Sequence, residues 1–217
     1  SDVYKRQVLM QSINNIWVSG LRVVIIIIFG LLVYPTGALS AEPSEVVDRF
    51  HEVLLSVMKK ASSTSVTARY KELKPEIEKA FNLPFMIRIT VGPRWNTASN
   101  QQKRELIEAF KSMSVGTYAS RFNGYSGQIF KTLKVRTGPR GTRLVDTRIE
   151  SPNDESVRIT YVMGKFGDKW KIIDVLLDRG ISEMAVRVSE YRSILRSRGV
   201  GSLASALSKK AANLLKN

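Results

Sequence analysis

From Glu42 apolar residues in this chain recur every three or four positions up to Gly124, every second position from there to Leu176, and every three or four again to the end. The outer patterns are those of amphipathic helices and the middle one that of half-buried strands. After the start signal Pro43-Ser44, Val46, Phe50, Val53, Leu54 and Val57 form a first helical stripe. A second helical stretch, from about Ser65 to Phe81, contains Pro75, which is expected to kink or divide it. The short apolar run Leu83 to Ile89 follows and ends at Val91-Gly92-Pro93. Thr97 or Ser99 then caps a long helix with Leu106, Ile107, Phe110, Met113, Thr117 and Tyr118 along one face.

In the middle region Ile129, Leu133 and Val135 are expected to share one face of a strand that leaves through the turn Gly138-Pro139-Arg140-Gly141. Leu144 to Ile149 reads as a second strand. Val157, Ile159, Tyr161 and Met163 alternate with Arg158 and Thr160 in a third, and Trp170, Ile172, Asp174 and Leu176 mark a fourth. Helical spacing returns with Ile181, Met184, Val188, Tyr191 and Leu195. A last helix carries Leu203, Leu207, Ala211 and Leu214, with Lys209, Lys210 and Lys216 toward its C-terminal end. Helices, then four consecutive strands, then helices argue for an α+β fold: one curved four-stranded antiparallel sheet packed against several helices. No linker divides residues 41–217, which are expected to form a single domain.

Residues 23–34 are uncharged and apolar, follow Arg22, end at Pro35, and lead to Ala38-Leu39-Ser40-Ala41. This is the layout of an export signal, with cleavage expected near Ser40-Ala41. A spanning helix needs ~20 apolar residues, more than this run offers. Residues 1–9 precede the first methionine, Met10, and are expected to be non-native. The formal net charge is +15, and residues 41–217 retain +13, because only Lys5, Arg6, Arg22 and Asp2 precede them. For an exported protein such a surplus points to anionic surfaces or lipid headgroups. The chain has no cysteine, so a disulfide scaffold and thiol chemistry are excluded.

Catalytic signals are sparse. The one histidine, His51, is expected on the polar shoulder of the first helix, and a single His without a partner makes no metal site. Nucleophile-elbow and phosphate-loop motifs are absent. Asp146, Asp174 and Tyr161 lie on strands and could face a cavity, as in cone-shaped enzymes acting on small apolar substrates, but no positioned partner accompanies them. Arg121-Phe122, Tyr191-Arg192 and Lys169-Trp170-Lys171 interleave charge with aromatics without any nucleic-acid motif around them. A non-enzymatic protein with no cofactor, no metal and no nucleic-acid partner is expected.

Phe85-Met86-Ile87-Arg88-Ile89-Thr90-Val91-Gly92-Pro93-Arg94-Trp95, Ala98-Ser99-Asn100-Gln101-Gln102-Lys103 with Phe110, Thr117-Tyr118-Ala119 and Tyr125-Ser126-Gly127-Gln128 together resemble the MlaC (toluene-tolerance) family. Trp170 to Val175, Gly180-Ile181-Ser182, Ile194-Leu195, Gly199, Leu203 and Leu207 extend the resemblance from Glu42 to the C-terminus. It implies an NTF2/cystatin-like fold enclosing an apolar pocket, in a periplasmic carrier of Gram-negative bacteria. Such a carrier would shuttle lipid between an inner-membrane ABC transporter complex and an outer-membrane lipoprotein complex. Val186-Arg187-Val188 stands where phospholipid shuttles have Asn-Tyr-Arg, and Ile181 to Tyr191 looks more like the hopanoid-associated HpnM branch. Phospholipid and hopanoid are therefore both expected cargoes.

A pocket for lipid tails must offer apolar surface, worth ~0.8 kcal/mol per methylene removed from water. The inward-facing residues selected to line it are Phe110, Met113, Ile129, Leu133, Val135, Val157, Ile159, Tyr161, Met163, Trp170, Ile172 and Met184. The unbranched thioethers suit cargo of varied shape. Arg140, Arg143, Arg187, Arg192, Arg196 and Arg198 are expected to be exposed and to aid electrostatic docking.

Overall fold

The computed structural model describes residues 41–152, 154–178 and 180–216; the expected export segment lies outside them. Helix α1 spans Pro43–Lys59, with Pro43 at the first turn where its missing N–H costs nothing. Its buried stripe is Val47, Phe50, His51, Leu54, Val57 and Met58. This face is rotated from the expected one: Val46 and Val53 sit at its margin and His51 at its centre.

Helix α2, Val66–Ala80, is capped by the Ser65 side chain and runs through Pro75 as one element. The proline therefore does not divide it. Arg69 is buried on α2, where its Nε donates to the Ala119 carbonyl at 3.0 Å and its Nη1 to the Thr64 carbonyl at 2.6 Å. The run from Leu83 forms α3, Leu83–Val91, with the Asn82 side chain accepting from the Phe85 N–H. A short helix α4, Arg94–Thr97, leads into α5, Asn100–Arg121. There Ser99 and Gln102 close a capping box, two N-terminal donors satisfied reciprocally.

Helix α5 is buried on most sides along Met113–Gly116, where α2, α3 and the last helix pack around it. Gly116 permits the close approach of the last helix, since a Cβ there would touch the Leu214 Cβ at 3.4 Å.

Strands β1 (Ile129–Thr137), β2 (Arg143–Glu150), β3 (Val157–Phe166), β4 (Lys169–Leu177) and β5 (Ile181–Ser182) form one open antiparallel sheet in that order. The class is α+β, with five strands instead of four: Ile181, expected on the helical stripe, pairs with Leu177 and is exposed. Helix α6, Glu183–Ser197, starts at once from β5, and α7, Gly199–Leu214, follows with only Arg198 between. Gly199, at φ +76°, makes that sharp change of direction.

Two irregularities set which side chains face the helices. β1 shifts register between Thr132 and Lys134, leaving Leu133 as the extra residue. β4 shifts where Val162 pairs with Asp174 but Met163 with Ile172, leaving Ile173 as the extra residue. Ile172, Val175 and Leu177 consequently face inward, while Asp174 and Leu176 do not share the face of Ile172. The junction of α2 and α3 is tied to β4 by the Asn82 N–H, which donates to the Ile172 carbonyl at 2.9 Å.

A candidate apolar cavity with a charged rim

Between the inner face of the sheet and helices α2, α3, α5 and α6 lies a cavity of about 140 Å³. Ile159 and Tyr161 of β3 with Val175 and Leu177 of β4 supply the sheet wall, and Ile77, Phe81, Leu83 and Met86 the wall from α2 and α3. Helix α5 contributes Phe110, Ser114, Thr117, Tyr118 and Arg121 at helical spacing, and Phe122 follows. α6 contributes Glu183 and Arg187.

The closed end is aromatic. Tyr161 is 2% exposed and its hydroxyl lies 2.9 Å from Nε2 of His51, whose ring stacks on Phe130 at 4.4 Å. His51 is therefore buried, not the surface residue that a stripe centred on Val46 and Val53 implied. Burial holds its imidazole down at about 4, so it is neutral near pH 7. Burial pushes the Tyr161 phenol well above its usual range, so both groups stay uncharged. The rings of Phe50, Phe81 and Tyr118 meet edge to face at 5.2–5.7 Å, and Tyr118 stacks on Phe122 at 5.7 Å.

The open end is marked by Arg121, whose side chain is 65% exposed. Glu183 lies 3.8 Å from Arg121 and 3.6 Å from Arg187. Arg187 lies over the Phe110 ring at 5.5 Å, and its Nη1 is 3.3 Å from the Tyr191 hydroxyl and 3.5 Å from the Met113 sulfur. The expectation that Arg187 is an exposed docking charge is overturned, because Phe110, Met113 and Tyr191 surround its guanidinium. Arg140, Arg192, Arg196 and Arg198 are exposed, and Arg143 is half-buried. Burial raises the Tyr118 phenol out of its usual range; Glu183 adds to this while Arg187 and Arg121 oppose it, which places the phenol within the field of all three.

Of the twelve residues selected from the sequence, Phe110, Ile159 and Tyr161 line the cavity. Met113, Met163, Ile172 and Met184 are buried in the surrounding core, and Trp170 is half-buried against it. Ile129, Leu133, Val135 and Val157 are 42–47% exposed. Leu133 is the extra residue of the β1 bulge, and the bulge puts Ile129 and Val135 on opposite faces of their strand. Val157 opens β3 opposite Ile149, at the end of the paired ladder.

The acids weighed for catalysis do not meet Tyr161. Asp146 faces away from the helices beside Arg136, whose guanidinium at 2.7 Å lowers its carboxyl, and it also accepts from the Thr160 hydroxyl at 2.7 Å. Asp174 ties β4 to the start of α6, accepting from the Ser182 hydroxyl at 2.6 Å and the Met184 N–H at 3.1 Å.

The MlaC family (MlaC protein) matches residues 48–209. The chain belongs to the MlaC family. A phospholipid-binding protein from Ralstonia solanacearum, solved in complex with a phospholipid, has the same fold, with a TM-score of 0.70 over 80% of this chain and 99% of that one. At 20% identity that likeness concerns the fold. No curated protein matches the chain.

Proposed function

We propose that this MlaC-family protein is a periplasmic lipid carrier. It holds phospholipid tails in the cavity between α5 and the sheet and shuttles lipid between an inner-membrane transporter complex and an outer-membrane lipoprotein complex. The observation that carries the proposal is an apolar cavity, closed by aromatics at one end and rimmed by charge at the other, in a chain of this family. The phospholipid bound by the Ralstonia protein supports the choice of cargo. Hopanoid remains the alternative cargo that the α6 sequence suggests. The net charge supports encounter with anionic surfaces.

A cavity of about 150 Å³ takes a molecule the size of benzene, so at about 140 Å³ the walls must part to admit an acyl chain. Met86 in the wall, and Met113 and Met184 behind it, can repack as they do. The test is to export the protein in a Gram-negative host, purify it without detergent and examine it by native mass spectrometry. Stoichiometric lipid is expected. Folded protein that is repeatedly empty, and that takes nothing from liposomes, would sink the reading. Ser114→Phe fills the wall from a small buried position and is expected to cut uptake at least about tenfold while the protein still folds.

A further inference from the structure

The rim of the cavity places a carboxylate between two guanidiniums, and neither cation has strong partners. Both separations, 3.8 Å and 3.6 Å, exceed good hydrogen-bond length. The remaining contacts of Arg187 are a thioether, a phenol oxygen at 3.3 Å and a ring face. A guanidinium presents five donors in a planar fork. Here that fork sits on a side chain only 15% exposed, opposite acceptors that are weak or distant. Partial burial of a cation costs free energy that such contacts do not return. Two arginines and one glutamate leave the rim with one excess positive charge, next to walls that are otherwise apolar.

We infer that Arg121 and Arg187 form a clasp for the phosphodiester of a lipid headgroup, with Glu183 spacing the two guanidiniums until a phosphate oxygen takes its place. The inference rests on the carrier reading and narrows the cargo to phosphate-bearing lipid, against a phosphate-free hopanoid. A phosphodiester presents two anionic oxygens to a planar fork, the geometry that arginine meets better than lysine. Its single negative charge brings the rim to neutrality. Glu183 is the first residue of α6 and partly exposed, so it can turn to water when displaced. Tails entering past Arg187 would run along Phe110 toward Ile159 and Tyr161.

The test presents the purified protein with vesicles of dioleoyl phosphatidylglycerol, or of dioleoyl digalactosyl diacylglycerol, which has the same tails and no phosphate. Salt at about 0.5 M suppresses general attraction to the charged surface, and lipid carried per protein is read by mass spectrometry. The wild type is expected to prefer the phosphate-bearing lipid by about tenfold, the scale of one charge-assisted contact. Arg187→Met keeps the apolar stem and is expected to bring the ratio of phosphate-bearing lipid to galactolipid carried within about twofold of one. Arg121→Gln, at an exposed position that should not disturb folding, is expected to lower the preference about threefold, and Glu183→Gln to raise it by a similar factor.

A wild type that takes both lipids without preference, or variants that keep the wild-type preference, would overturn the clasp and leave the carrier reading standing. Folded wild type that takes neither lipid would overturn the carrier reading itself. Inorganic phosphate at about 10 mM is expected to leave lipid uptake within about twofold, because it lacks the tails that supply most of the affinity. Arg187-dependent binding of phosphate in protein that shows no lipid preference would assign the site to a free anion and overturn the headgroup assignment.

Discussion

The two ends of the cavity both carry polar groups, and they differ in how those groups are satisfied. At the closed end His51 and Tyr161 answer each other at 2.9 Å, and burial keeps both neutral. At the open end Glu183 stands 3.8 Å from Arg121 and 3.6 Å from Arg187, beyond good hydrogen-bond length. A buried pair without net charge is structural: its loss leaves an unsatisfied group with no solvent to replace the partner. A loose charged triad at the surface contributes little to folding and leaves its donors for something else. On the proposed reading, stability belongs to the closed end and ligand recognition to the open end.

The strongest way to break that assignment is His51→Ala. It removes a ring packed against Phe130 and leaves the Tyr161 hydroxyl unpaired, so a loss of about 3 kcal/mol is expected in urea unfolding. A loss under about 1 kcal/mol would show the closed end to be adaptable.

Acid titration should give an effect of similar size in the wild type. With the folded imidazole near 4 and the unfolded one at 6.5, the unfolded chain binds the extra proton between those values. Stability is then complete above about pH 6.5 and falls as pH drops toward 4, by up to about 3 kcal/mol. His51→Phe is expected to lack this component, and an unchanged pH profile in that variant would refute the buried-neutral assignment.

Tyr161→Phe leaves the imidazole without its partner and is expected to cost about 1 kcal/mol. The smallest effect belongs to the open end, where Glu183→Gln is expected to shift folding stability by no more than about 0.5 kcal/mol. A larger loss would mean that the rim is a folding element and would blur the division between the two ends.

Much of this architecture was legible in the residue pattern. The change of period around Gly124 and again after Leu176 marks the boundary between helices and sheet, because both periods follow from backbone geometry alone. Of the two capping candidates, Thr97 and Ser99, it is Ser99 that caps α5, a signal local to four residues. The errors have specific causes. Val46 and Val53 drew the α1 stripe one position off, although Val47, Leu54, Val57 and Met58 bracket His51 on a single face. The bulges at Leu133 and Ile173 leave no mark in composition, and each reverses the alternation beyond it. Val175 and Leu177 were therefore overlooked, and Ile129, Leu133 and Val135 were grouped on one face. Arg121 was read only as a charge beside Phe122 and Arg187 only as an exposed docking charge, because only the fold brings the last turn of α5 to the first turn of α6.

The bulge gives β4 one residue to spare. Removing Ile173 alone would restore strict alternation with Met163 still opposite Ile172 and Val162 opposite Asp174, so Val175 and Leu177 would stay in the cavity wall. Asp174 would also keep its tie to the start of α6, whereas loss of a second residue from the strand would turn Val175 and Leu177 outward and rewrite the lining of the site. Related chains would then be expected to differ in the length of β4 by the bulge residue at most.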